Sequence, residues 1–388
     1  MSYVNSLAQS NYLRMIMGNQ QNQISKLQSQ VASGNKADDF SGYTPTEGRI
    51  AISLSNSLSR NKQYSQNVIL LSNQTALAES SLTKTHNVLT GGNDDKGTGS
   101  IASTIANIYL NVASKTTNAV GALQQSAQNA LEQVIGFYNQ SLTGNYVFAG
   151  RGSQPPLIDA GTLSNNVKAA IVAGLPGSGA FATGADASKA VDSVFLDQTA
   201  ANKNNLNIAN LNQWFSGNIN DSPGEPLPIS DNQYLAVDIS ALPSQKRSGP
   251  VDPNTNMQVD PTYGIMDSIR SLAALANVSL KDFGTGPDAP EKYQQFLQGQ
   301  LKTLSLADQE INTMTAVNGN NRALLSQTSS LLSQQALTLS SSIASDESVD
   351  QATAITNLQN LQAQLSATYQ VTALLKNLSL VNYIGGAS

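Results

Sequence analysis

Leu13-Arg14-Met15-Ile16-Met17-Gly18-Asn19-Gln20-Gln21-Asn22-Gln23-Ile24-Ser25-Lys26-Leu27-Gln28-Ser29-Gln30-Val31 is the stretch that decides the fold. Leu13, Met17, Ile24, Leu27 and Val31 fall on one seam of alternating three- and four-residue spacing, with Gln20 at the missing position. That period is an a/d seam, so the segment reads as an amphipathic helix that wants a partner helix. Residues 1–33 contain no proline and one glycine, Gly18, and the run from Ser33 to Gly42 is rich in helix breakers.

The far end of the chain carries a matching pattern. Ser348-Val349-Asp350-Gln351 reads as a capping box. It opens a helix with Ile355, Leu358, Leu361, Leu365 and Tyr369, then Val371, Leu374, Leu378 and Val381. Residues 351–384 hold a single charged side chain, Lys376. Two end segments with apolar seams and no core of their own are satisfied by pairing with each other. Leu13, Met17, Ile24, Leu27, Val31, Ile355, Leu358, Leu361, Leu365, Tyr369, Leu374, Leu378 and Val381 are therefore the candidate assembly interface.

Between the ends, Thr44-Pro45-Thr46-Glu47 is a helix start, with Thr44 as cap, Pro45 at the first helical position and Glu47 closing the box. The helix continues through Ile50, Leu54, Leu58, Val68, Leu71, Ala78, Leu82 and Leu89 to Gly91-Gly92. A second helix over about 100–142 folds back on it. Residues 143–261 change character: strand-like runs occur at Tyr146-Val147-Phe148, Val191 to Phe195 and Leu235 to Ile239, and Trp214 is expected to pack a local core. Helix resumes over about 262–281 after Asp260-Pro261. It starts again at the box Asp288-Ala289-Pro290-Glu291 and runs to Ser345 through Asn318-Gly319. The expected fold is mainly α: a long antiparallel helical bundle or coiled coil formed by both termini, with an inserted β-containing (α+β) central domain. The expected borders are 1–43 paired with 345–388, a helical bundle of 44–150 plus 262–344, and an insertion at 151–261.

Composition narrows the function. Of 388 residues only 12% are charged, about half the usual share. Asparagine (39) and glutamine (33) together supply 72 positions. A surface of neutral amides suits permanent packing, because burying an amide costs far less than burying an ion. The net charge of −5 argues against a nucleic-acid partner. No apolar run reaches 18 residues and no Sec-type leader is seen, so no membrane partner is expected. Absence of cysteine removes disulfides and thiolate chemistry, and His86, the one histidine, leaves zinc sites and catalytic triads incomplete. Asp38-Asp39 and Asp94-Asp95 lack the spacing of a calcium loop and read as solvated. Gly91 to Gly99 does not follow a strand and lacks the P-loop Lys-Ser/Thr pair, and His86 reads as a surface residue of a helix. No enzyme, metal or cofactor is expected.

The ends also carry a resemblance. Asn19 to Gly34 resembles the helix of the bacterial flagellin superfamily that runs into a Ser/Thr-Gly-Lys loop, and Lys36-Ala37-Asp38-Asp39-Phe40-Ser41-Gly42 is similar to the segment that follows it. Asn145-Tyr146-Val147-Phe148-Ala149-Gly150 with Pro155-Pro156-Leu157 looks like the superfamily's hook-filament junction members. So do Asp350-Gln351-Ala352, Gln362 to Tyr369, and Leu378 to Ile384. The resemblance covers roughly 1–150 and 262–388. It implies a structural subunit of the bacterial flagellum joining hook to filament, exported by the flagellar type III apparatus to the cell exterior. Flagellin, the hook-side junction protein, copies of itself in a ring and an export chaperone would be its partners. A filament-forming flagellin is the alternative. From other classes come a secreted coiled-coil adhesin or type III translocator, and an enzyme within 151–261.

Overall fold

The structure, a computed structural model, describes residues 2–37, 43–91, 100–109, 117–149, 155–196, 226–236, 251–252, 257–260 and 263–385. Asp38-Asp39, Asp94-Asp95, Trp214 and Val237-Asp238-Ile239 lie outside the described residues. The chain is mainly helical. In order come α1 (Ser2–Ser33), α2 (Pro45–Thr90), α3 (Ile101–Tyr109), α4 (Thr117–Tyr138), α5 (Ala160–Gly174), α6 (Gly184–Phe195), α7 (Gly264–Asn277), a 3-10 turn (Leu280–Phe283), α8 (Ala289–Glu347) and α9 (Gln351–Gly385). The described strands form antiparallel two-stranded hairpins: β1 (Ser141–Leu142) with β2 (Asn145–Tyr146), β3 (Leu227–Ser230) with β4 (Gln233–Leu235), and β5 (Val251–Asp252) with β6 (Met257–Gln258).

Local chemistry sets the helix ends. At α2 the Glu47 amide donates to Thr44 Oγ1 (3.4 Å), while the Thr44 amide and hydroxyl donate to Glu47 Oε2 (3.1 and 2.7 Å). This is the capping box read from Thr44-Pro45-Thr46-Glu47. α1 ends where Gly34 turns to φ +76°, a conformation that favours glycine, with its amide donating to the Gln30 carbonyl at 2.9 Å. At α9 the cap is Asp350 rather than Ser348. Its Oδ1 accepts from the amides of Ala352 (3.0 Å) and Thr353 (3.2 Å), whereas the Ser348 hydroxyl turns back to the Ser345 carbonyl. A carboxylate two residues nearer the helix has the shorter reach to the orphan amides. α8 runs unbroken through Asn318-Gly319, and the Asn318 side-chain amide donates to the Thr75 carbonyl of α2 at 2.7 Å.

The run Val191 to Phe195, expected as a strand, is the end of α6. Ala187, Ala190, Val191, Val194 and Phe195 are buried at three- and four-residue spacing, and Thr183 with Asp186 forms a capping box upstream. Helical period and cap together override the strand preference of two valines and a phenylalanine.

The chain divides into two compact units, Met1–Gln63 with Leu332–Ser388, and Tyr64–Leu331. These borders differ from those expected at 43, 150, 262 and 345. α2 and α8 contribute residues to both units. The expected insertion is not set apart, because α5 and α6 pack on α7 inside the second unit.

α7 is the centre of that second unit. Each residue from Gly264 to Leu275 is buried, with α4, α5 and α6 against it. Gly264 lets α7 approach α8: a Cβ there would sit 2.8 Å from Glu310 Cβ and 2.9 Å from the Ile311 nitrogen. Phe283 stacks obliquely on Phe181, Tyr293 and Phe296 at centroid distances of 5.9–6.2 Å. The buried Arg270 places Nη1 2.5 Å from Asp192 Oδ1 and Nη2 3.1 Å from Asp267 Oδ1, tying α6 to α7. Burial works against the Arg270 charge, but Asp192 and Asp267 outweigh it and raise the guanidinium's pKa.

Candidate assembly surface

The first unit holds the residues singled out in the sequence. α1 and α9 pack along each other and run antiparallel, as three contacts establish. The Gln21 side-chain amide donates to the Tyr369 hydroxyl at 2.8 Å, and the Thr372 hydroxyl, which donates to the Thr368 carbonyl at 2.7 Å, lies 3.9 Å from Met17 Sδ. Asn35 bridges to Ser348 in antiparallel sense, flanked by the Lys36 amide on the Glu347 carbonyl (2.7 Å) and the Val349 amide on the Gly34 carbonyl (2.9 Å).

On α1, Leu13, Met17, Ile24, Leu27 and Val31 are half-buried, and so is Gln20 in the same row. On α9 the expected stripe splits. Leu358, Leu361 and Leu365 are half-buried, while Ile355, Tyr369 and Leu374 stand exposed, Leu374 at 62%. The side chains of Leu378 and Val381 lie outside the described residues. Completing the α9 row are Ala354, only 3% exposed, and the half-buried Thr368 and Thr372. Reading by apolar residues alone passed over these three. Their signal was the spacing 354, 358, 361, 365, 368, 372, an unbroken alternation of four and three.

Other large side chains of the pair stand outside the closed row, at several angles round the two helices. Tyr12 and Met15 on α1, and Ile355, Tyr369, Val371 and Leu374 on α9, are large apolar or aromatic side chains facing solvent. The two helices carry Arg14, Lys26 and Lys376 and no carboxylate, so no ion pair can form within the helix pair itself. Its stability therefore comes from apolar packing and neutral hydrogen bonds.

Charge gathers instead at the helix junction. Lys36 Nζ lies 3.3 Å from Glu47 Oε1. Hydrogen bonds from Thr44, then Lys36, hold the Glu47 carboxyl below the usual range, and those from Thr353 do the same for Asp350. Partial burial, followed by Glu347, Asp346 and Glu47, pushes the Tyr43 hydroxyl up.

One arrangement elsewhere has the outline of a proton relay. His86 Nδ1 is 2.5 Å from Asp308 Oδ1, Asn312 donates to the other Asp308 oxygen at 3.1 Å, and Thr90 Oγ1 is 3.4 Å from His86 Nε2. The Thr90 hydroxyl, however, donates to the main-chain carbonyl of His86 at 2.9 Å, the ordinary bond of a helical threonine four residues on. The cluster thus clamps α2 to α8, and His86, expected as a surface residue of a helix, lies on α2 with its side chain 34% exposed and bonded to Asp308. Among the described residues no three acidic or histidine side chains converge as a metal site, and no helix is long and apolar enough to cross a membrane.

Compared with known proteins, the chain matches no family model and no curated sequence.

Proposed function

We propose that the chain is a structural, non-enzymatic subunit of the bacterial flagellum that joins hook to filament and assembles through its helical termini. The observation that carries this reading is the outer surface of the α1–α9 pair, which has no carboxylate and exposes Tyr12, Met15, Tyr369, Val371 and Leu374. A face of that kind, with no carboxylate to repel or misalign a neighbour, suits a permanent contact repeated between subunits. The motif order at both ends, similar to the flagellin superfamily's junction members, supports the flagellar assignment. In this reading the terminal pair acts as a coiled coil, the chain leaves the cell through the flagellar type III channel, and copies form a short ring between the hook-side junction protein and flagellin. An export chaperone is an expected partner; nucleic acid and membrane are not.

Deletion of the gene in its own bacterium tests the assignment. A junction subunit predicts hooks without filaments by negative-stain imaging, with flagellin released into the medium. A shortened or weakened filament would instead make it a filament-forming flagellin. Unchanged filaments and motility would overturn the flagellar reading.

A further inference from the structure

The chain has no cysteine, so its thioethers are its soft, readily oxidised groups. Six methionines occur; the side chains of Met1 and Met257 lie outside the described residues. Met266 in α7 and Met314 in α8 are shut away at 1% and 7% exposure. Met15 is 57% exposed on α1. Met17, two residues on, is half-buried with its sulfur 3.9 Å from the Thr372 hydroxyl of α9. Accessible and protected sulfur are thus separated by unit: Met17 sits in the row where α1 meets α9, and Met15, on another side of α1, faces solvent.

We propose that Met15 and Met17 are a peroxide-reactive modification site, at which sulfoxide on Met17 loosens the α1–α9 pair and sulfoxide on Met15 makes the outer surface of α1 more polar. The oxidant is a peroxide. A thioether lone pair attacks one peroxide oxygen, the O–O bond breaks and an S–O bond forms. The departing hydroxide takes up a proton and leaves as water. Sulfur loses two electrons and the peroxide gains them. At Met15 the new oxygen stands on the solvent-facing side of α1. At Met17 it enters the closed row, where the Thr372 hydroxyl already lies 3.9 Å from the sulfur and the added S–O bond must push the helices apart or turn the side chain out. Methionine sulfoxide is reduced enzymatically, so the change is reversible. Its effect on subunit assembly rests on the function proposed above; the chemistry and the loosening do not.

The test treats the full chain with hydrogen peroxide and maps sulfoxides by mass spectrometry. Met15 and Met17 are expected to oxidise about tenfold or more faster than Met266 and Met314, following exposure. Hydrogen exchange at residues 13–31 and 354–372 should then quicken by about tenfold, as expected for local opening, while exchange in the second unit stays unchanged. The Met15→Leu, Met17→Leu double variant keeps the side-chain volume and should show no peroxide response. Methionine sulfoxide reductase should restore slow exchange in the oxidised wild type. Equal oxidation of all four methionines, sulfoxides without faster exchange, or an undiminished response in the double variant would each overturn the proposal. Sedimentation of untreated and oxidised chain separates the two readings. An oxidised chain that assembles as well as the untreated one sinks the effect on subunit assembly. An untreated chain that stays monomeric leaves the modification site to stand or fall on exchange, and the proposed function to the deletion strain.

Discussion

Gln21 and Tyr369, 348 positions apart, are joined by a 2.8 Å hydrogen bond from the amide of one to the hydroxyl of the other. Around that bond two long helices with almost no charge lie side by side. Their packing, rather than any ion pair within them, sets the behaviour of the first unit.

Leu365→Asp places a carboxylate in the closed row of α9. Lost apolar burial and desolvation of the charge together cost about 2–4 kcal/mol. Hydrogen exchange along α1 and α9 should rise sharply, while the melt of the second unit, built from other residues, stays where it was. Retained protection across residues 13–31 would show that this row does not hold the pair.

Asp192→Ala leaves Arg270 buried with half of its compensation. Removing one partner of a buried ion pair costs about 3–5 kcal/mol. Urea melting of the variant should show that loss, and Asp192→Asn, which keeps one hydrogen bond, should lie between it and the wild type.

Two glycine-to-alanine changes should have opposite signs. At Gly264 the new methyl meets Glu310 Cβ at 2.8 Å, and overpacking of this kind costs about 1–3 kcal/mol. At Gly319, exposed in the middle of α8, nothing lies within 4 Å, and the better helix former should add about 1 kcal/mol. Thermal melts of the two variants suffice to compare them.

Acid should loosen the helix junction. Glu47 and Asp350 have lowered pKa values in the fold. Their contribution is therefore complete above the unfolded values near about 4 and is lost as pH falls through the lower folded ones. Both are solvent-exposed, so the effect is modest. Asp350→Asn keeps a capping oxygen but cannot titrate, and exchange at Ala352 and Thr353 should become less sensitive to acid in that variant.

Replacing residues 151–261 with a short linker should destroy the cooperative melt of the second unit. The segment carries Leu163, Val167, Ile171, Val191, Val194 and Phe195, all buried, and Asp192, the partner of Arg270. A deletion that melted like the full chain would show that α7 can be covered without α5 and α6.

Much of this was legible in the residues. The Thr44–Glu47 box and the α1 row are local patterns: one is a cap with a fixed reach, the other a period. The unbroken α8 followed because both flanks of Asn318-Gly319 keep a helical period. Harder to see was anything decided by a distant partner. Ala354, Thr368 and Thr372 are not hydrophobic enough to announce a contact row. Asp350 displaces Ser348 as cap through geometry that composition does not encode. That the stretch expected as an insertion belongs to the second unit shows in Arg270 finding Asp192, 78 positions away.

The long span between Gln21 and Tyr369 also fixes an order in time. Each doubling of a loop adds only about 0.6 kcal/mol to the entropy of closing it, so distance along the chain is no great thermodynamic obstacle to the pair. It is a temporal one. At synthesis rates of about 5–20 residues per second, Tyr369 follows Gln21 by roughly 20–70 s. For that interval α1 has its apolar row and no α9 to cover it, and any other greasy surface nearby competes for the place.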